Sequence, residues 1–218
     1  MKPAVVEALE AVPVLPLLNV SDGRQAVMVA STLAAAGLRV IEVLLRGPRA
    51  IDCLAAVSAD DPGLLVGAGT VLDEAQAREA LKAGARFIVS PGLDEAVVEA
   101  ARAHGVPVIP GVATATEAQR ARNMGLRVLK FFPAGLAGGP AMMRALGEVF
   151  PELRFVATGG VSATNLAEYL ALRAVLAVGG TWLAPADAVA DGDYARIARV
   201  AREAVECAVA QRAASGSL

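Results

Sequence analysis

The 218-residue sequence is short of the residues that build metal centres, disulfide scaffolds and nucleic-acid surfaces. It has one histidine, His104, and two cysteines, Cys53 and Cys207. Two distant cysteines are too few for a disulfide framework, which fits a reducing, cytoplasmic setting. With a single histidine they leave no histidine-based cluster to assemble, so no metal is expected. Aromatics make up 4% and the net charge is −2, with no basic block interleaved with aromatics, which argues against nucleic acid as the main partner. No charge-free run reaches the roughly 18 to 20 residues of a membrane span. Residues 1–20 lack the basic segment and apolar run of a signal peptide.

Lysine is scarce as well. The three lysines are Lys2, Lys82 and Lys130. Lys2 is terminal, and Lys82 adjoins the helix-ending pair Ala83-Gly84, as an ordinary surface lysine would. Lys130 differs, because Val128, Leu129, Phe131 and Phe132 surround it. An uncompensated ammonium there costs several kcal/mol, roughly, or gives up its proton. A neutral amine inside a protein is a nucleophile toward carbonyl carbons. The competing reading is a stem that snorkels its charge to water at a strand end.

What the chain has in abundance is one recurring unit, an Ala-rich helix ending in Gly, then a short apolar strand, then a turn. Gly37, Gly84, Gly105 and Gly125 stand where left-handed helix caps are wanted. Strands are expected at Val14–Leu18, Val40–Leu44, Leu64–Ala68, Phe87–Val89, Val106–Ile109, Val128–Phe131, Phe155–Ala157 and Val175–Val178. Helices are expected over 23–36, 48–58, 73–83, 94–104, 114–124, 138–149 and 162–171, with a final one at about 193–212. A short leading helix covers Lys2 to Ala11. Strict alternation implies parallel strands, and eight units imply an α/β fold of the closed (β/α)8 barrel type, read as one domain over 1–218. The open doubly wound alternative lacks its G-x-G-x-x-G fingerprint. His104, just before Gly105, is placed to meet the carbonyls of a helix end.

In such barrels the chemistry sits where strands pass into βα loops. Those ends read EVLLRG (42–47), GAGT (67–70), SPG (90–92), PGVAT (110–114), KFFPAG (130–135), TGG (158–160) and GGT (179–181). Side chains alternate faces along a strand. Ile41, Val43 and Leu45 form an apolar face for the helices, so Val40, Glu42, Leu44 and Arg46 face inward. The same parity sends Lys130 and Phe132 inward and Leu129 and Phe131 outward. A carboxylate and an amine then share one interior. They form either a buried structural ion pair or an acid/base group beside a nucleophile. Gly159-Gly160 and Gly179-Gly180 are expected in loops after the seventh and eighth strands, where backbone N–H groups bind phosphate, with Ser162 capping the next helix.

These segments, in this order and spacing, resemble the 2-keto-3-deoxy-6-phosphogluconate (KDPG) aldolases, including the bifunctional 4-hydroxy-2-oxoglutarate (KHG) aldolases. The resemblance covers about Val12 to Ala204, with KFFPA and GAGTVL its most specific parts. It implies a class I, metal- and cofactor-independent pyruvate aldolase on a (β/α)8 TIM barrel, a keto-acid phosphosugar substrate and a homotrimer. It assigns Lys130 as the imine-forming lysine and Glu42 as the general acid/base. Arg46 and Thr70 match the positions that hold the pyruvate carboxylate, Pro91 and Phe132 line the pocket, and Gly159, Gly160 and Thr181 match the phosphate site. The chain departs from the family at Leu44 and Gly47, where Thr is common, and at Gly135, often Glu. The segment GVATATEA also resembles the phosphogalactonate branch. The alternatives are an isomerase or epimerase using Glu42 without an imine, and a non-catalytic phosphosugar-binding barrel.

Overall fold

The computed structural model describes residues 3–61, 63–214 and 216. In chain order the strands are β1 (Val14–Leu18), β2 (Val40–Leu44), β3 (Leu65–Gly69), β4 (Ile88–Val89), β5 (Val108–Ile109), β6 (Gly111–Val112), β7 (Val128–Phe131), β8 (Arg154–Thr158) and β9 (Val175–Gly180). The helices are α1 (Ala4–Ala11), α2 (Gly23–Ala35), α3 (Ala50–Asp60), α4 (Glu74–Lys82), α5 (Glu95–Ala103), α6 (Ala115–Asn123), α7 (Gly139–Val149), α8 (Leu166–Leu170), α9 (Ala186–Asp191) and α10 (Tyr194–Ala214). A 3-10 turn, Thr181–Leu183, follows β9. The leading helix begins two residues later than expected, and Lys2 lies outside the described residues.

All strand pairs are parallel, in the order β5-β4-β3-β2-β1-β9-β8-β7-β6. The two ends of that order, β5 and β6, are separated in the chain by Pro110 alone. Proline has no N–H to give to a ladder, so one strand reads as two pieces. β5 pairs with β4 and β6 with β7, and Lys130 N–H donates to the Pro110 carbonyl at 2.9 Å. The expected eight strands therefore close into a (β/α)8 barrel, with the fifth running on past Ile109 to Val112.

Two apolar layers follow from the strand parity. Ile41, Val43, Leu129, Phe131 and Phe155 pack outward against the helices. Val40, Leu44, Phe87, Val89, Ile109 and Val156 pack inside the barrel. The inner layer also holds Val5, Val6 and Leu9 of α1. Because α1 leads straight into β1, its apolar stripe plugs the N-terminal end of the barrel and leaves the other end for the loops.

The helix ends carry the expected chemistry. Gly37, Gly84, Gly105 and Gly125 all adopt positive φ, and His104 Nδ1 lies 2.9 Å from the Ala100 carbonyl oxygen. Asp22, Asp73 and Asp94 cap α2, α4 and α5 through their side chains, and Thr114 and Glu117 form a capping box on α6. Three expectations need correction. Gly179 and Gly180 belong to β9 itself, since the strand ladder continues through Gly180 to Pro16 of β1. Ser162 does not cap α8: its own N–H donates to Asn165 Oδ1, and that turn delays the helix to Leu166. The 3-10 turn and α9 were not expected, because three residues are too few to show a period and the Ala- and Asp-rich α9 lacks a helical apolar one.

Candidate active site

β2 and β7 stand on opposite sides of the closed barrel, four strand positions apart either way round. Glu42 is the middle residue of β2, and Lys130 is the third residue of β7. Inward parity makes the two side chains converge on the barrel axis. Lys130 Nζ lies 3.3 Å from Glu42 Oε1, with Glu42 fully buried and Lys130 4% exposed. Lys130 Nζ also sits 5.3 Å from the centre of the Phe132 ring, within range of a cation–π contact. The other carboxylate oxygen, Glu42 Oε2, is buried with no hydrogen-bond partner.

Space for this pair comes from glycines. A methyl group at Gly69 would lie 2.0 Å from Glu42 Oε1 and 2.6 Å from its Cγ and Cδ. One at Gly67 would lie 2.3 Å from the Phe87 ring. The GAG of β3 is therefore a groove cut for Glu42 and Phe87. Leu44, paired with Gly69, is 1% exposed and belongs to the inner apolar layer, so the wall beside Glu42 is hydrocarbon.

Around this pair the strand ends bring together the other expected residues. Arg46 Nε donates to Thr70 Oγ1 at 3.3 Å, at the ends of β2 and β3. Thr70 has φ +60°, a left-handed conformation that non-glycine residues adopt only where the surroundings hold it. Pro91 follows β4, and its carbonyl would lie 2.1 Å from a methyl group at Gly111, so that loop lies against β6. Gly159 and Gly160 have φ +88° and +85°. Their turn is tied to the loop after β7 by Gly135 N–H, which donates to the Gly159 carbonyl at 2.8 Å. Thr158 pairs with Gly179, so Gly159, Gly160 and exposed Thr181 leave neighbouring strands together. Gly47 lies in open loop space, and the Gly135 position has room for ordinary side-chain contact.

One polar group was not singled out from the sequence. Thr158 is 3% exposed, ends β8 on the inward face, and its Oγ1 has no partner. The signal was present: parity from outward Phe155 and Ala157 points Thr158 inward. A buried hydroxyl without a protein partner at a barrel mouth is free to meet water or a ligand. The arrangement sets an amine across from a carboxylate, with a guanidinium at the mouth and a glycine turn at the end of β8.

A buried amine facing a carboxylate at the loop end of a closed barrel is an arrangement that suits an enzyme acting on carbonyl compounds. The comparisons with known proteins place the chain within that class. The sequence profile described as KDPG and KHG aldolase matches residues 5–200. The chain is 45% identical over 202 residues to the 2-dehydro-3-deoxy-phosphogluconate aldolase of Treponema pallidum, covering 93% of this chain and 96% of that one. It is 46% identical over 194 residues to the KHG/KDPG aldolase of Escherichia coli K12, covering 89% and 91% of the two. A KDPG aldolase structure from Legionella pneumophila, with pyruvate captured as a covalent carbinolamine, superposes with a TM-score of 0.89 at 36% identity, covering 94% of this chain and 98% of that one. The chain belongs to the KDPG and KHG aldolase family, and it is an aldolase, a lyase.

Proposed function

We propose that the chain cleaves KDPG to pyruvate and glyceraldehyde 3-phosphate, and 4-hydroxy-2-oxoglutarate to pyruvate and glyoxylate, through an imine on Lys130. The observation that carries this reading is the 3.3 Å contact between Lys130 Nζ and Glu42 Oε1 inside a closed barrel. Transfer of a proton across that contact leaves a neutral amine, which adds to the keto carbon of the substrate. Glu42 gives the proton it received to the departing hydroxyl, water leaves, and the protonated imine becomes an electron sink beside a carboxylate that is ionised again. Glu42 takes the proton of the C4 hydroxyl as the C3–C4 bond breaks, and the electron pair flows into the imine to give an enamine. Glu42 then returns a proton to the terminal carbon, which becomes the methyl of pyruvate, and water hydrolyses the imine.

The remaining residues orient the substrate in this reading. Arg46 binds the pyruvate carboxylate as a charged donor, with Thr70 fixing its guanidinium. Phe132 and Pro91 wall the pocket. Thr158 Oγ1 donates to a hydroxyl of the substrate chain. Backbone N–H groups at Gly159 and Gly160, with the Thr181 hydroxyl, hold the phosphate. In the same reading the chain is one domain, works in the cytoplasm and assembles as a homotrimer. Among the described residues, no helix is long and apolar enough to cross a membrane.

The phosphate assignment separates the two substrates. Thr181→Ala removes one hydrogen bond to a charged group, worth about 1.5–3 kcal/mol. KM for KDPG is expected to rise roughly 10- to 100-fold, while KM for hydroxyoxoglutarate stays unchanged, both read from pyruvate release. Equal loss on both substrates would place the phosphate elsewhere.

A further inference from the structure

The base of the barrel holds a second concentration of charge that the aldol reaction does not use. A cavity of about 320 Å³ opens between the C-terminal end of α7 and the starts of β8 and β9. Pro151 and Leu172 contribute its apolar wall, and Arg144, Arg154, Arg173 and Glu148 surround it. Three guanidinium groups and one carboxylate line the cavity, and Glu10 acts on Arg154 from outside it.

Six arginines elsewhere in the chain are paired with acids. Arg39, Arg78, Arg102, Arg122, Arg196 and Arg199 each contact a carboxylate. Arg144, Arg154 and Arg173 make no side-chain hydrogen bond or ion pair among the described residues, and the Glu148 carboxylate contacts none of them. Arg154 is half-buried, and its Nε is shut off from solvent with no acceptor. Burial, with Arg173 adding to it, pushes the Arg154 guanidinium below its ordinary pKa, and Glu10 pushes back. Arg212, buried behind it, spends one nitrogen on the Val175 and Leu176 carbonyls.

A simpler role for such arginines would be to neutralise helix C-termini by donating to the last carbonyls. Arg102 and Arg127 do this, reaching the Met124 and Arg122 carbonyls at the end of α6. Arg144, Arg154 and Arg173 do not. An unpaired, partly buried cation at a cavity wall, with two free guanidinium forks beside it, is a receptor for oxyanions, whose oxygens accept such forks in pairs. We propose that this cavity binds a multivalent oxyanion, a phosphoryl group or a polycarboxylate, through Arg144, Arg154 and Arg173. Arg154 opens β8 and Thr158 ends it, so four strand rises, about 13 Å, separate this site from the catalytic mouth. An anion held here stabilises the folded chain by mass action.

The test is thermal unfolding of the full chain with inorganic pyrophosphate or with citrate, in the parent and in an Arg144→Gln/Arg173→Gln variant. Both substituted side chains are exposed, so the fold tolerates the change. At a probe concentration near 100 times Kd the parent Tm is expected to rise by about 5–10 °C. The double variant is expected to lose most of that rise while releasing pyruvate at the parent rate. A response to pyrophosphate alone identifies a phosphoryl ligand, and a response to citrate alone a polycarboxylate; either supports the site. No rise with either probe, or an equal rise in the double variant, overturns it. So does a rise that survives in the double variant but is removed by Thr181→Ala, which would locate the anion at the catalytic mouth.

Discussion

The two ends of the barrel differ in how they treat buried polar atoms. At the base, α1 drives Val5, Val6 and Leu9 into the interior, and buried Arg212 is satisfied by two backbone carbonyls. Arg154 Nε and Ser58 Oγ, near the end of α3, are the exceptions there, and Arg154 borders a cavity. At the mouth the exceptions are the pattern. Glu42 Oε2 and Thr158 Oγ1 are buried without partners, and Thr70 holds a left-handed backbone that glycine alone adopts freely. A protein tolerates such costs where a ligand repays them. The base is built for stability and the mouth for chemistry, so substitutions at the two ends are expected to fail in different assays.

Glu42→Gln gives the largest effect. It keeps the size of the side chain and removes its basicity, so turnover of the folded variant is expected to fall by about 100- to 10,000-fold. Exchange of the methyl protons of pyruvate with deuterated water checks it directly. Exchange at the parent rate in the variant would show that another group carries the proton.

Gly69→Ala sharpens the comparison, because it moves Glu42 without touching its chemistry. The added methyl lies 2.0 Å from Glu42 Oε1, so the carboxylate must shift. Displacement of a reacting group by about 1 Å costs on the order of 100-fold in kcat. Shortening the acid as well, in Glu42→Asp/Gly69→Ala, is expected to recover about tenfold relative to the sum of the single losses. Additive losses in the double variant would show that Gly69 acts on the fold rather than on the carboxylate.

Leu9→Ala is the counterpart at the base. Leu9 is fully buried within the inner layer, and its truncation is expected to cost about 2–5 kcal/mol of stability. Below the new unfolding transition kcat is expected to stay at the parent value. A fall in kcat at unchanged stability would break the separation of the two ends.

Much of this division was legible in the sequence, because period-two alternation and glycine caps are local signals. Ile41, Val43 and Leu45 alone forced Glu42 inward, and the same parity applied to Lys130. The convergence of β2 and β7 followed only from eight strands closing a ring. What stayed hidden depended on tertiary contacts. Pro110 looked like a strand end, but its neighbours on both sides are held by β4 and β7. Gly179-Gly180 looked like a turn, yet Gly180 is an extended strand residue whose missing side chain makes room for the Trp182 ring. Gly69 stands in the GAGT motif, but its reason, the volume of the Glu42 carboxylate, exists only across two strands.

The central claim is that Lys130 is the amine that captures the substrate, and one measurement addresses it most directly. The chain is incubated with pyruvate and borohydride, digested, and its peptides weighed. One reduced pyruvate adduct is expected, on the peptide that contains Lys130, and Lys130→Ala is expected to lose both the adduct and turnover. An adduct on exposed Lys82, or turnover that survives in Lys130→Ala, would contradict the account.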